Sequence, residues 1–250
     1  MNSGKEVRTR RLFRADERSV IAALDHGIAG LSPLGSLAKP EDLIVKLVAA
    51  GVDAFIVTPG IGRQCAPWFG GKGLVIRVDC GPTALTGEWA ETHPAVKVEE
   101  AARLGADAVI AMGVVGAEGE ARSLQALARL AAECEACGIV LIAEMLPGGF
   151  AASACSDEQI SVAARVGAEI GADIIKIRYS GSEKSFRAII ANCYRPIVVL
   201  GGSKQTPPQL AASTREAMTA GARGVAVGRN IWQAEDPSQV ASLLVEAVHG

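Results

Sequence analysis

Aromatic side chains are scarce in this chain: Phe, Tyr and Trp make up 4% of its 250 residues. The interior must therefore be aliphatic, and base-stacking platforms for single-stranded nucleic acid are not expected. Histidine is rarer still, with three scattered copies that make no convincing metal site. Neither charge sign is in excess. The 25 basic and 27 acidic residues leave a net charge of -2, so neither a polyanion nor a membrane surface is implied as partner. No uncharged apolar run reaches about 18 residues, so no transmembrane helix is expected. The N-terminal stretch MNSGKEVRTRRLFRADERS lacks the apolar region of a secretory signal, and its interleaved acids argue against an organellar transit peptide. The six cysteines show no disulfide framework. Cys134 and Cys137 form a CxxC with no second pair, on one face of the helical run 120–137, and read as reduced thiols of a cytoplasmic protein.

What is present is a repeated unit: a short apolar strand, a Gly- or Pro-bearing loop, then an amphipathic helix. Eight candidate strands stand at 20–25, 53–59, 73–79, 107–113, 139–146, 173–179, 196–202 and 224–230. Their near-continuous apolar character indicates a sheet buried on both faces, hence parallel strands with helical crossovers. Helical patterns are clearest at 40–50, 95–104, 118–137, 157–170, 207–220 and 237–248. A local echo, AAGVDAF, RLGADAV and EIGADII, ends a helix on glycine and places aspartate before a strand. Eight such units in one domain spanning 1–250 match an α/β fold of the (β/α)8 TIM-barrel type. A doubly wound open sheet is the competitor, weakened because no GxGxxG follows the first strand.

In a barrel the reactive groups sit at the C-terminal ends of the strands. Lys176 lies within GADIIKIRYSG, inside the sixth strand. Burial penalises an ammonium ion, and a neutral amine on a rigid strand is what attack on a carbonyl requires. The alternative is a strand-end lysine whose stem packs while its head reaches solvent. Arg178 shares its face by alternation, where a cation can bind an anionic substrate group, and Tyr179 follows. Glu144 on the fifth strand is an inward carboxylate, able to pair with Lys176, to move protons, or to serve only as a structural ion pair. Asp25 ends the first strand as acid, base or hydroxyl ligand, or as a loop cap. His26 alternates to the other side and ranks behind it, while His93 and His249 have no company and no expected role. Gly201-Gly202-Ser203 and Gly228-Arg229, after the seventh and eighth strands, offer backbone N–H groups and a guanidinium to a phosphate. The rival reading is two ordinary glycine turns.

Taken together, ALDHG at 23–27, GADIIKIRYSG at 171–181, PIVVLGGSK at 196–204 and GVAVGRNIWQ at 224–233 resemble the DeoC/FbaB/LsrF aldolase family, from about residue 12 to the end. That family includes archaeal-type class I fructose-bisphosphate aldolase, aminodideoxyheptulosonate synthase and LsrF-like enzymes. The resemblance implies a Schiff-base lysine at Lys176, a proton-handling aspartate at Asp25, and phosphate contacts from Gly201, Gly202, Ser203, Gly228 and Arg229. It also implies a homo-oligomeric ring, commonly a decamer. One departure stands out. The aldolase and synthase branches carry a Tyr-Pro-Arg-Gly-like motif after the fifth strand, and here Leu146 holds the position of its general-acid tyrosine while Gly148 replaces its arginine. Glu144, Tyr179, His26 and a bound water are the substitutes to consider.

The expected function is a Schiff-base lyase or C–C transferase acting on a phosphorylated ketose-like substrate, with no cofactor and no metal. The alternatives are LsrF-like acyl transfer on a phosphorylated diketone, and a catalytically weakened barrel that only binds a phosphometabolite.

Overall fold

The computed structural model describes residues 2–86, 92–150, 152 and 154–250. Eight parallel strands close into a barrel in chain order. They are β1 (Ser19–Ala23), β2 (Ala54–Val57), β3 (Gly73–Arg77), β4 (Ala108–Val115), β5 (Val140–Pro147), β6 (Ile174–Ile177), β7 (Ile197–Leu200) and β8 (Gly224–Val227). The expected (β/α)8 TIM barrel is thus the observed architecture. Side chains alternate along each strand. Ile21, Ile56, Val75, Ile110, Ile142, Ile174, Val198 and Ala226 fill the barrel interior. Their sequence neighbours Val20, Phe55, Leu74, Val109, Leu141, Ile175, Val199 and Val225 pack beneath the surrounding helices. Burial on both faces is why the strands read as continuous apolar runs.

The helices are α1 (Ser3–Leu12), α2 (Pro40–Ala49), α3 (Pro59–Gln64), α4 (Val98–Arg103), α5 (Glu120–Cys137), α6 (Asp157–Ile170), α7 (Glu183–Ala191), α8 (Pro207–Ala220), α9 (Arg229–Trp232) and α10 (Pro237–His249). Local chemistry fixes their ends. Ser156 with Gln159, and Thr206 with Gln209, form reciprocal capping boxes, and Gly171 and Gly221 end α6 and α8 in the left-handed conformation. Cys134 is buried under α5, where burial pushes its thiol up to about 12, and all six cysteines are unpaired. The third strand is shorter than its apolar run: it stops at Arg77, and Asp79–Cys80 leave the barrel to pair antiparallel with His93–Pro94.

The aspartate echo has a structural cause. Asp53, Asp107 and Asp173 each stand just before an even-numbered strand, and each accepts a backbone N–H from the preceding odd strand: Val20 at 2.8 Å, Leu74 at 3.1 Å and Leu141 at 2.9 Å. Their other carboxylate oxygens turn to the N-terminal segment. Arg14 Nε reaches Asp53 at 2.5 Å and Arg11 Nη1 reaches Asp107 at 3.1 Å. Lys5 Nζ donates to Asp173 Oδ1 at 3.1 Å and lies 3.0 Å from Glu135. Burial opposes the charge on Lys5, but those two carboxylates outweigh it and raise its pKa. In the fourth strand pair the corresponding position is Arg223, whose guanidinium pairs with Glu17 at 3.0 Å instead.

Helix α1 is therefore held across the bottom of the barrel by ion pairs, with Leu12 and Phe13 closing the apolar interior above them. His249, expected to stand alone, joins this layer: its Nδ1 lies 2.6 Å from Asp16 and its Nε2 2.9 Å from Asp53.

Asp173→Ala removes both a buried counter-charge and a strand cap, so it should destabilise the protein by about 3 kcal/mol. Asp173→Asn, which keeps an acceptor for Leu141 N–H, should cost less. Urea unfolding midpoints of the two variants at neutral pH test the ranking; equal losses would assign the whole effect to the ion pair.

Candidate active site

A cavity of about 290 Å³ opens at the C-terminal end of the barrel, and Lys176, Glu144, Asp25, His26, Arg77, Asp79 and Arg229 all line it. Parallel pairing places Glu144 on β5 directly beside Lys176 on β6. Lys176 is 4% exposed, and its Nζ lies 2.6 Å from Glu144 Oε1. The lysine is therefore not a strand-end residue reaching for water. Its counter-charge is the inward carboxylate expected on the neighbouring strand.

Arg77 organises the rest. It projects inward from the end of β3 and is itself 4% exposed. Its Nε donates to Asp25 Oδ2, its Nη2 donates to Glu144 Oε2, and its Nη1 donates to Asp79 Oδ1 at 2.9 Å. The second oxygen of Asp79 accepts Met112 N–H at 3.0 Å, which ties the group to β4. Burial disfavours the Arg77 cation, but the three carboxylates overcome this and raise its pKa well above its ordinary value. Burial likewise opposes ionisation of Asp25, yet the Arg77 guanidinium holds that carboxyl far below the usual range. For Glu144 the same burial is outweighed by Lys176 and Arg77, which bring it down to about 2. Three carboxylates against two cations leave the buried cluster one negative charge in excess.

His26 is placed differently from the strand-alternation expectation. β1 ends at Ala23, and Asp25 adopts a helical backbone (φ −90°, ψ −1°) that starts the short turn His26–Ala29. The chain bends there, so both residues face one cavity. His26 Nδ1 sits 3.3 Å from Asp25 Oδ1, too poorly aligned for a hydrogen bond, and is otherwise a buried nitrogen without a partner. The ring meets Trp232 edge-on at 5.6 Å between centroids. Gly228 makes this approach possible, since a Cβ there would stand 2.4 Å from His26 Cε1.

The loops after β7 and β8 are fastened together by Asn230, whose Nδ2 donates to Gly201 O at 2.9 Å and Ser203 O at 3.0 Å. Its Oδ1 accepts Gln205 N–H at 2.9 Å. Gly202 takes a positive φ of 64° in this turn. Arg229 is exposed at the cavity wall next to these loops.

Of the expected phosphate contacts only Arg229 lines the cavity; Gly201, Gly202, Ser203 and Gly228 are not among its lining residues, and neither are Arg178 and Tyr179. β6 stops at Ile177, and Arg178 turns its Nη2 to Ala152 O at 3.0 Å. Tyr179 faces outward, donating to Glu216 Oε2 at 2.9 Å and packing edge-on against Phe186. Burial and the Glu216 hydrogen bond raise its pKa, which makes it a poor substitute acid.

The sequence profile of the DeoC/LacD family aldolases matches residues 19–234. The chain belongs to the DeoC/LacD aldolase family. It is 34% identical to a 2-amino-3,7-dideoxy-D-threo-hept-6-ulosonate synthase of Archaeoglobus fulgidus over 253 residues, covering 99% of this chain and 92% of that protein. It is 32% identical to an uncharacterized aldolase of Saccharolobus solfataricus, covering 98% and 94%. Among solved structures it superposes, with TM-score 0.88 and 30% identity over 99% of this chain and 100% of the other, on an archaeal fructose-1,6-bisphosphate aldolase. In that protein the catalytic lysine is covalently bound to the carbinolamine intermediate. The DeoC/LacD chain described here is accordingly a Schiff-base aldolase-type enzyme.

Sequence reasoning gave no role to Arg77, Asp79 or Asn230. The signal for Arg77 was an arginine inside the apolar run GLVIRVD. Leu146 continues the inward face of β5 above Glu144, opposite Val114 on β4, so this part of the wall is aliphatic.

Because the folded-state pKa of Glu144 is depressed, its contribution to stability is present above the ordinary value of 4.5 and is lost as pH falls toward about 2. The destabilisation caused by Glu144→Gln should therefore be largest above pH 4.5 and shrink on acidification. Denaturant unfolding of both proteins across that range provides the check; a pH-independent difference would contradict the assigned ionisation.

Proposed function

We propose that Lys176 is the nucleophile of a class I aldolase that makes or breaks a carbon–carbon bond in a phosphorylated ketose-like substrate. The observation that carries this reading is a buried lysine on a barrel strand, in the cavity wall, with a carboxylate oxygen 2.6 Å from its Nζ. Nζ adds to the substrate carbonyl carbon, and Glu144 Oε1 is the nearest acceptor for the proton the amine gives up. Loss of the carbinolamine hydroxyl as water yields an iminium. That cation accepts the electron pair of the breaking C–C bond, or, as its enamine, supplies the pair for a new one.

The substrate hydroxyl must lose a proton in cleavage and regain it in synthesis. Asp25 and His26 face that position together. Asp25 is held ionised by Arg77, and with Nδ1 of His26 turned toward it, Nε2 is left to exchange the proton. The dyad fills the role for which Leu146 has no chemistry. The phosphate is anchored at Arg229, with backbone N–H groups of the Gly201–Ser203 and Gly228 loops that Asn230 holds in place.

Leu146 also supports a second reading, acyl transfer of a phosphorylated diketone to a thiol acceptor, because that reaction needs no acid at this position. The complete network of Lys176, Glu144, Arg77 and Asp25 argues against a barrel that only binds.

Borohydride reduction in the presence of dihydroxyacetone phosphate should add the reduced three-carbon phosphate to Lys176, located by peptide mass spectrometry. Lys176→Met should abolish the adduct and lower turnover of an active substrate by roughly 10⁴-fold or more. Labelling at another lysine, or none in the wild type, would refute the assignment. Arg77→Lys, which cannot bind three carboxylates at once, should lower kcat by about 10²-fold while the adduct still forms; unchanged kcat would leave Arg77 a purely structural role.

A further inference from the structure

We infer that the chain carries a second anion-binding site at the N-terminal end of the barrel, suited to a phosphate monoester with a flat apolar body. The site lies at the opposite end of the strands from the Lys176 cavity and does not depend on the reaction assigned there.

A cavity of about 520 Å³ opens between helix α1 and the loops that lead into β7 and β8. That volume lies within the range of small-molecule sites. Four arginines line it: Arg10 and Arg14 from the N-terminal segment, Arg195 before β7 and Arg223 before β8. They face a single lining carboxylate, Glu17. The whole chain has a net charge of -2, so this cavity gathers positive charge against the overall balance.

The four cations are not equally occupied. Arg223 pairs with Glu17 at 3.0 Å, and Arg10 pairs with Glu6 at 2.9 Å. Exposed pairs of this kind contribute little, so an anionic ligand can displace them. Arg14 commits Nε to Asp53 at 2.5 Å and Nη2 to Gly51 O at 2.6 Å. Arg195 has no ion pair among the described residues. Its Nε is buried without a hydrogen-bond partner, and its guanidinium stands 5.7 Å from the centre of the Tyr194 ring. A guanidinium carries donors on all three nitrogens and binds phosphate oxygens in pairs. A bound phosphate therefore supplies the counter-charge that the fold withholds from Arg195.

Between the charges the wall is apolar. Phe13, Cys193 and Ile197 are buried behind it, and Tyr194, which is 56% exposed, sets a flat ring beside Arg195. Inorganic phosphate would leave this surface wet, whereas an ester with a flat ring covers it. The cations also come from separate pieces of chain. Arg223 N–H donates to Ile197 O at 2.8 Å, so the entries to β7 and β8 form one edge, and Arg10 and Arg14 stand across from it on the N-terminal segment. A dianion bound between them ties that segment to the barrel and stabilises the folded chain.

The probe is phenyl phosphate, titrated calorimetrically into the full chain carrying Arg229→Gln, which weakens the phosphate anchor at the barrel mouth. Saturable binding is expected, with inorganic phosphate and phenol each weaker by roughly 10-fold or more, and with a rise in Tm as the probe is added. In the same background Arg195→Gln and Arg223→Gln, tested separately, should each raise Kd by roughly 10-fold. Tyr194→Ala should weaken phenyl phosphate and leave inorganic phosphate unchanged. Arg195 makes no ion pair and Arg223 makes an exposed one, so both variants should keep the unliganded Tm, which is measured alongside. No saturable binding, or a Kd unmoved by either arginine substitution, would overturn the site. Inorganic phosphate binding as tightly as phenyl phosphate would show an adventitious ion only and overturn it as well.

Discussion

One guanidinium holds the C-terminal end of this barrel together. Arg77 carries a buried positive charge to the point where Asp25, Asp79 and Glu144 converge from three regions of the chain. Without it three carboxylates would share a buried site, and mutual repulsion would protonate or expel them. With it each has a fixed direction: Asp25 beside His26, Asp79 onto the backbone of Met112, Glu144 onto Lys176. The alignment of the amine, the nearest proton acceptor and the Asp25–His26 pair is a consequence of this arrangement. In the proposed mechanism Arg77 acts through its neighbours as a positioning residue.

The opposite end of the barrel uses the same physics for a different purpose. Cations of the N-terminal segment reach Asp53, Asp107 and Asp173, each of which also caps a strand. Both ends are polar and the middle is aliphatic, so the interior of Ile and Val separates the charges around the N-terminal segment from those that line the cavity. The difference lies in the balance. At the bottom, Arg14, Arg11 and Lys5 each meet an aspartate that also caps a strand, whereas at the top the charges border the cavity around Lys176 and remain one negative charge out of balance.

Much of the fold was legible. Strands such as DAFIVTP and DAVIAMG are apolar on both faces, and parity along IVLIAEML and DIIKIRY put Glu144 and Lys176 inward. Where parity was carried past the end of a strand it failed. His26 was assigned to the wrong side because β1 had already bent, and Arg178 and Tyr179 were drawn toward the site because β6 ends one residue earlier. Helix α1 left no apolar period to find, since it is docked by Lys5 and by the cations and apolar residues at its end.

The sequence by itself determined the repeat, the inward direction of the strand residues, the candidate nucleophile and the glycine loops that follow β7 and β8. These depend on local conformation and on burial, both of which are written in period and composition. Only the tertiary structure decided which groups meet. Arg77 and Glu144 are 67 residues apart, and Arg77 and Asp25 are 52 apart. Their contact exists because eight strands close into a ring with a fixed register, and a one-residue shift would turn any of them to the other face. Which cations are already neutralised is a property of that closure.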